Sequence, residues 1–405
     1  MERKKTLTVV VSISLTVMLV SMLLLAAPGA AQQKTSQAKT LKIGCLLTLT
    51  GWHSVFDLVE ERDLKIVAQI INEKGGLTIK GEKYNIELVA EDGKSTLDGI
   101  TAAATRLTFD KQVKFVVGPN AFWTMAASPV FEPNKVMHVS GASTTQPGEL
   151  DSTTPYGFLG HNSSVGGCLI DVQALKREFP NAKKVAIVTP DDGAIPYLVP
   201  KLKKILELNG YSVAGDTVGF PNEMIDYSPI AAKLNAIKDA DAVYMKNGAP
   251  PAGANMIKAL RQLGNNKPFV CSILTAGNDL LGIMGKEVAT NVIAVGLAPE
   301  APNNPPLVNE IFKRGGQKPP IFLLVPNALW VLTKVIQAAD SLDPAVVKAK
   351  WESMDKVDTL FGTGIMCGDQ TYGIKHHAVS HPWAYQKIMD GKISYGPWIP
   401  ASVIP

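Results

Sequence analysis

The chain of 405 residues carries 40 lysines and arginines against 36 acidic residues, a formal charge of +4, and 46% of its residues are hydrophobic. That length exceeds what one hydrophobic core organises and suits two lobes of ordinary domain size. A near-neutral balance with no dense Lys/Arg stripe argues against nucleic acid as a partner.

Residues 1–31 read as a signal peptide. Met1-Glu2-Arg3-Lys4-Lys5 is a basic head, no charge interrupts the run from Val9 to Ala27, and Gly29, Ala30 and Ala31 form a small-residue exit before Gln32. The competing reading is an uncleaved anchor, since about 19 apolar residues just cross a bilayer; the small-residue exit favours cleavage. Cleavage leaves a periplasmic, soluble chain with a charge of +2, opening on a linker over 32–40. Export permits a disulfide among Cys45, Cys168, Cys271 and Cys367, but their spacing does not pair them.

A strand over 41–49 is followed by a helix over 57–74, with Leu58, Leu64, Val67, Ile70 and Ile71 largely on one face and Gly75-Gly76 as its stop. A strand over 84–90, a helix over 95–110 and strands over 113–117 and 135–140 come next. The last two run into Gly118-Pro119 and Gly141-Ala142-Ser143-Thr144-Thr145. The rhythm restarts with a helix over 169–179, a strand over 184–189 and a helix over 198–208. A strand over 211–220, a helix over 229–238, a strand over 242–245 and a helix over 254–263 extend it, and strands over 269–274 and 292–297 close that half. Short β-branched strands alternating with helices in βα units of roughly 30 residues predict parallel sheets covered on both faces. Past Pro299, an apolar helix over 321–339 and a hairpin of 383–389 with 393–398 around Asp390-Gly391-Lys392 are expected. The fold class is α/β, two doubly wound Rossmann-like lobes: 41–157 plus 296–360 in lobe I and 158–295 plus 361–405 in lobe II. A chain that returns to lobes already built crosses between them several times, which makes a hinge.

Ligands of open α/β sheets sit beyond the carboxyl ends of the strands, which directs attention to 50–56, 118–123, 141–145, 189–197 and 246–252. Trp52, Phe122 and Trp123 form either a ligand-facing wall or buried filler. Free amides around Asn120, Ala121 and Phe122, with the hydroxyls of Ser143 and Thr144, make a carboxylate site; the alternative is that Ser143 and Thr144 only cap a turn. No Gly-x-Ser-x-Gly elbow, phosphate loop or dinucleotide fingerprint is present, so no catalytic residue and no cofactor are expected, and the chain is read as a non-enzyme. His376, His377 and His381, near Cys367 and Asp369, match no metal spacing and read as a polar surface loop without metal.

Four stretches also carry a family resemblance: Leu41-Lys42-Ile43-Gly44 with Leu49-Thr50-Gly51, Ile71-Asn72-Glu73-Lys74-Gly75-Gly76, Phe115-Val116-Val117-Gly118, and Lys184-Val185-Ala186-Ile187-Val188. In order and spacing they resemble the periplasmic leucine/isoleucine/valine-binding proteins of ABC uptake systems, the type I periplasmic binding protein fold, over nearly all of the mature chain. The resemblance implies three crossovers, hinge closure around a small-molecule ligand, a monomer, and a membrane permease of an ABC transporter as partner. By position it implies Thr144 and the Ala142 carbonyl in the ligand loop, Phe122 where the family often has a carboxylate-binding serine, and Phe56 as an aromatic wall. Tyr197 lies close to the family's second-lobe tyrosine, and Gly248 stands in the loop after the 242–245 strand. The acidic residue that neutralises an α-amine falls at Pro251 or Ala252, neither of which can do so. A small organic solute is therefore expected, either amino-acid-like or a bulkier carboxylate or amide lacking a free amine, of which an aromatic one fits Trp52 and Phe122. The alternatives are a sensory receptor on the same fold and a secreted α/β hydrolase.

Overall fold

Phe115–Val117 and Ala242–Lys246 are buried at every position, as strands covered by helices on both faces must be. Each belongs to one of two sheets in a computed structural model that describes residues 38–191, 195–221, 223–272, 277–316 and 322–403. The expected signal peptide lies outside these residues. Among them, no helix is long and apolar enough to cross a membrane.

The first sheet runs, in spatial order, Lys356–Thr359, Gly362–Cys367, Ala378–Ser380, Gly157–Leu159, Met137–Ser140, Phe115–Val117, Lys39–Leu47, Glu82–Asp92 and Leu77–Ile79. Lys39–Leu47 is interior, pairing in parallel with Glu82–Asp92 on one side and Phe115–Val117 on the other. In the second sheet Lys184–Pro190 has Ser212–Val213 and Val218–Phe220 on one side and Ala242–Lys246 on the other, all parallel. Phe269–Ser272, Val292–Ala294, Gln386–Met389 and Lys392–Tyr395 extend it. Both sheets thus reverse strand order beside their first strand, and such a reversal opens a crevice at the carboxyl ends.

The chain passes between the sheets three times, over 160–163, after Ala294, and over 381–385. The first passage leads into the helix Ser164–Glu178, and the second precedes the helix Leu324–Ala339. The latter packs on the helix Ser54–Glu73, and 12 of its 16 residues are buried, so it is apolar nearly all round. Two glycines let it lie close. A Cβ at Gly141 would stand 2.7 Å from the backbone of Leu324 and Val325, and one at Gly160 would stand 2.5 Å from the Ala328 Cα.

Several elements depart from expectation. The 211–220 strand is two short pieces, Ser212–Val213 and Val218–Phe220, parted by a turn in which Gly215 takes a φ of +63°. Helices Pro306–Arg314 and Pro344–Ser353 and strands within 356–380 were not anticipated. Those strands extend the first sheet, whereas residues from 361 onward were assigned to the second lobe. The hairpin turn is tighter than drawn. Asp390 and Gly391 both take positive φ, and Lys392 already pairs with Met389, as a two-residue Asp-Gly turn requires. His377 and His381 are fully buried and not on a surface loop; His377 hydrogen-bonds the Gly157 carbonyl at 2.7 Å and Glu352 at 2.9 Å. All four cysteines are unpaired.

Candidate functional site

The loop leaving Lys39–Leu47 presents aromatic rings. His53 is fixed by a 2.8 Å hydrogen bond between its Nδ1 and the Thr48 hydroxyl. Its ring lies 5.2 Å from Trp52 and 5.1 Å from Phe56, and Phe56 continues to Phe322 at 5.9 Å. Trp52 is 63% exposed and leans on the buried Trp123 at 6.0 Å, so of these two tryptophans one faces the cleft and the other fills the core. Asn120 ties the loops together from a buried position: its Nδ2 donates to Asp57 and its Oδ1 accepts the Gly141 amide hydrogen at 3.0 Å. It is a brace, absent from the cleft wall.

The 141–145 loop reaches the cleft with the donors of Thr144 and Thr145 and the Ser143 hydroxyl already used. Glu149 folds back beneath it and accepts from the Ser143 hydroxyl at 2.8 Å, the Thr144 amide at 2.8 Å, the Thr144 hydroxyl, and the Thr145 amide at 3.2 Å. Burial pushes the Glu149 carboxyl up, while the Thr144 and Ser143 hydroxyls pull it back. The Ala142 carbonyl is engaged too, accepting from the Ala121 amide at 2.8 Å and the Ser140 hydroxyl at 2.6 Å. Ser143 and Thr144 therefore brace a turn on the cleft wall.

The second sheet supplies a polar counterpart. Lys246 and Ser272 end adjacent parallel strands in register, with Tyr244 two residues earlier on the face of Lys246. Asp171, on the helix Ser164–Glu178, meets all three. Its Oδ2 accepts from Tyr244 at 2.6 Å, from the Ser272 hydroxyl, and from Lys246 at 3.3 Å, and Lys246 also donates to Ser272 at 2.8 Å. A Cβ at Gly167 would come 3.3 Å from the Lys246 Nζ, so the glycine leaves the ammonium room.

These walls enclose a cleft of about 680 Å3 at the carboxyl ends of both sheets, with Trp383, Val295 and Ile170 along its length. The crossover strands add His161 and Asn162. Burial, and then the neighbouring His381, hold the His161 imidazole well below its usual range, and its Nε2 has no partner among the described residues.

Of the residues expected at the site, Trp52, Phe56, Ala121, Ala142, Ser143 and Thr144 line this cleft. Phe122 lies in a short 3-10 turn, Ala121–Trp123. Tyr197, 43% exposed, and Gly248 do not line it, although Asn247 and Ala249 beside Gly248 do. Asp171 and Lys246 were not anticipated. The second half thus has an acid after all, matched by its own cation.

Residues 40–392 match the periplasmic binding protein family. The chain belongs to that family. Among solved structures, the binding protein shares its fold with LivJ of Streptococcus pneumoniae in complex with isoleucine, at 20% identity over 89% of this chain and 100% of that one, with a TM-score of 0.67. The leucine-binding LivK of Thermotoga maritima is similar at 22% identity over 89% and 99%, TM-score 0.67. A solute-binding protein of an ABC transporter from Rhodopseudomonas palustris, in complex with p-hydroxybenzoic acid, is similar at 18% identity over 90% and 97%, TM-score 0.69. The type I fold implied by the four sequence stretches is the fold found.

Proposed function

We propose that this binding protein captures a small organic solute by closing its two sheets about the crossover strands, and delivers it to the membrane permease of an ABC uptake system. The solute is a carboxylate or amide with an aromatic body and no free α-amine. One observation carries this reading: the cleft is aromatic on one side, at Trp52 and Phe56, and polar on the other, at Asp171 and Lys246. The Ala142 carbonyl already takes two protein donors and Asp171 is matched by Lys246, which supports a cargo bringing no ammonium. Relatives of the same fold hold isoleucine and p-hydroxybenzoic acid, so the fold accommodates both kinds of cargo. Contact with both sheets at once is what biases a two-state closure. Calorimetry of the purified protein against amino acids, aromatic acids and aliphatic acids tests the reading. Stoichiometric binding of an aromatic acid or amide without turnover is expected; tight binding of leucine with no response to the acids would overturn it.

A further inference from the structure

Asp171 and Lys246 keep one hydrogen-bonding position each for a guest. Three donors converge on Asp171 Oδ2, and Oδ1 has no partner among the described residues. Lys246 spends two of its three N–H groups, on Asp171 and Ser272, and the third has no partner among the described residues. Both side chains line the cleft, at 2% and 4% exposure. An open acceptor and an open donor thus stand side by side in a desolvated wall.

Charge decides what fits them. The pair closes to zero, so a carboxylate set against Lys246 would leave one buried negative charge uncompensated, and an ammonium set against Asp171 one buried positive charge. Glu223, a further carboxylate on the cleft wall, is exposed and screened by water. A hydroxyl brings an acceptor and one donor, a primary carboxamide an acceptor and two donors, one of which can face solvent, and neither carries a charge. We propose that the second half of the cleft reads such an uncharged head group, whose oxygen accepts from Lys246 and whose hydrogen is donated to Asp171 Oδ1. The inference rests on the cargo reading above and deepens it: the ring lies against Trp52 and Phe56, and any carboxylate the solute carries points away from the pair.

Calorimetry with benzoate, 4-hydroxybenzoate, 4-carbamoylbenzoate and terephthalate tests it on the purified protein. The hydroxyl and carbamoyl compounds are expected to bind at least about tenfold more tightly than the other two, because a site built to hydrogen-bond penalises an analogue that leaves its groups unpaired. In the double variant Asp171→Asn/Lys246→Gln, which removes both charges together, the gap should shrink to about threefold or less, with a thermal melt verifying the fold. Should that variant fail to fold, Ser272→Ala, which releases one Lys246 hydrogen, should narrow the gap in part, and an unchanged gap there would count against the inference. Equal affinity for all four, tighter binding of terephthalate, or a gap that survives the double variant would overturn the head-group inference and leave the cargo reading standing. Binding of leucine with none of the four would overturn both.

Discussion

Asn162 and His381 join two of the three crossover strands: the Asn162 side chain accepts the His381 amide hydrogen at 3.0 Å and donates to its carbonyl at 3.1 Å. Asn162→Ala would leave both backbone groups of the buried His381 unpaired. The expected loss is about 2–3 kcal/mol of stability, read from the midpoint of urea unfolding.

The same strands contain neutral imidazoles. Burial holds His381 down to about 3 and His161 well below its usual range. The unfolded chain takes up these protons as the pH drops below about 6.5, whereas the folded chain refuses them until far lower. Stability is therefore lost on acidification from about pH 6.5 toward about pH 3, by about 1.4 kcal/mol per pH unit for each such group. His381→Gln should remove one group's share of that slope, measured by urea titrations at successive pH values.

Glu60 works in the opposite direction. It accepts from the amides of Val325 at 2.6 Å and Leu324 at 3.3 Å, at the start of the helix Leu324–Ala339, yet burial outweighs those bonds and pushes its carboxyl up from 4.5 to about 8. Across that window the folded chain keeps a proton the unfolded chain has released, so stability falls as the pH rises and levels off above about 8. Glu60→Gln has no such proton. Its melting temperature should vary less between about pH 5 and pH 8 than that of the parent.

Trp52 separates binding from folding. Its ring is largely exposed on the cleft wall. Trp52→Ala should change stability by no more than about 0.5 kcal/mol, while weakening an aromatic solute by about 0.5–1.5 kcal/mol, the worth of one ring contact. Calorimetry paired with a thermal melt distinguishes the two effects.

Gly141→Ala would drive a Cβ into the backbone of Leu324 and Val325 at 2.7 Å, a contact no side-chain rotation relieves. The expected loss is about 1–3 kcal/mol, with a lowered melting temperature as the readout.

Much of this was legible in the residues. The β-branched runs mark the central strands because burial on both faces demands them; the strand-end rule led to Trp52 and the Ser143–Thr144 loop, and the family resemblance added Phe56 and the Ala142 carbonyl. The polar half was not legible, for two physical reasons. Asp171 lies inside a helix, and only the packing of that helix across the second sheet brings it to Lys246. Lys246 was read as loop because the strand was drawn to end at residue 245; a lysine closing the buried run Ala-Val-Tyr-Met-Lys was the available signal. The occupied state of the Thr144 donors was hidden because Glu149 reaches them only through a turn that the residues Gln146-Pro147-Gly148 permit but do not dictate.

The late strands have a consequence for how the chain becomes a protein. Ala378 pairs with Leu159, and Ile388 pairs with Val292, so segments far down the chain cover the flank of each sheet. A nascent or truncated chain ending before residue 356 would leave Gly157–Leu159 and Val292–Ala294 as bare edges, each a template for the strand of another molecule. The two halves are finished together, once the strands between residues 356 and 395 are in place, and until then neither is protected from the aggregation that unpaired edges invite.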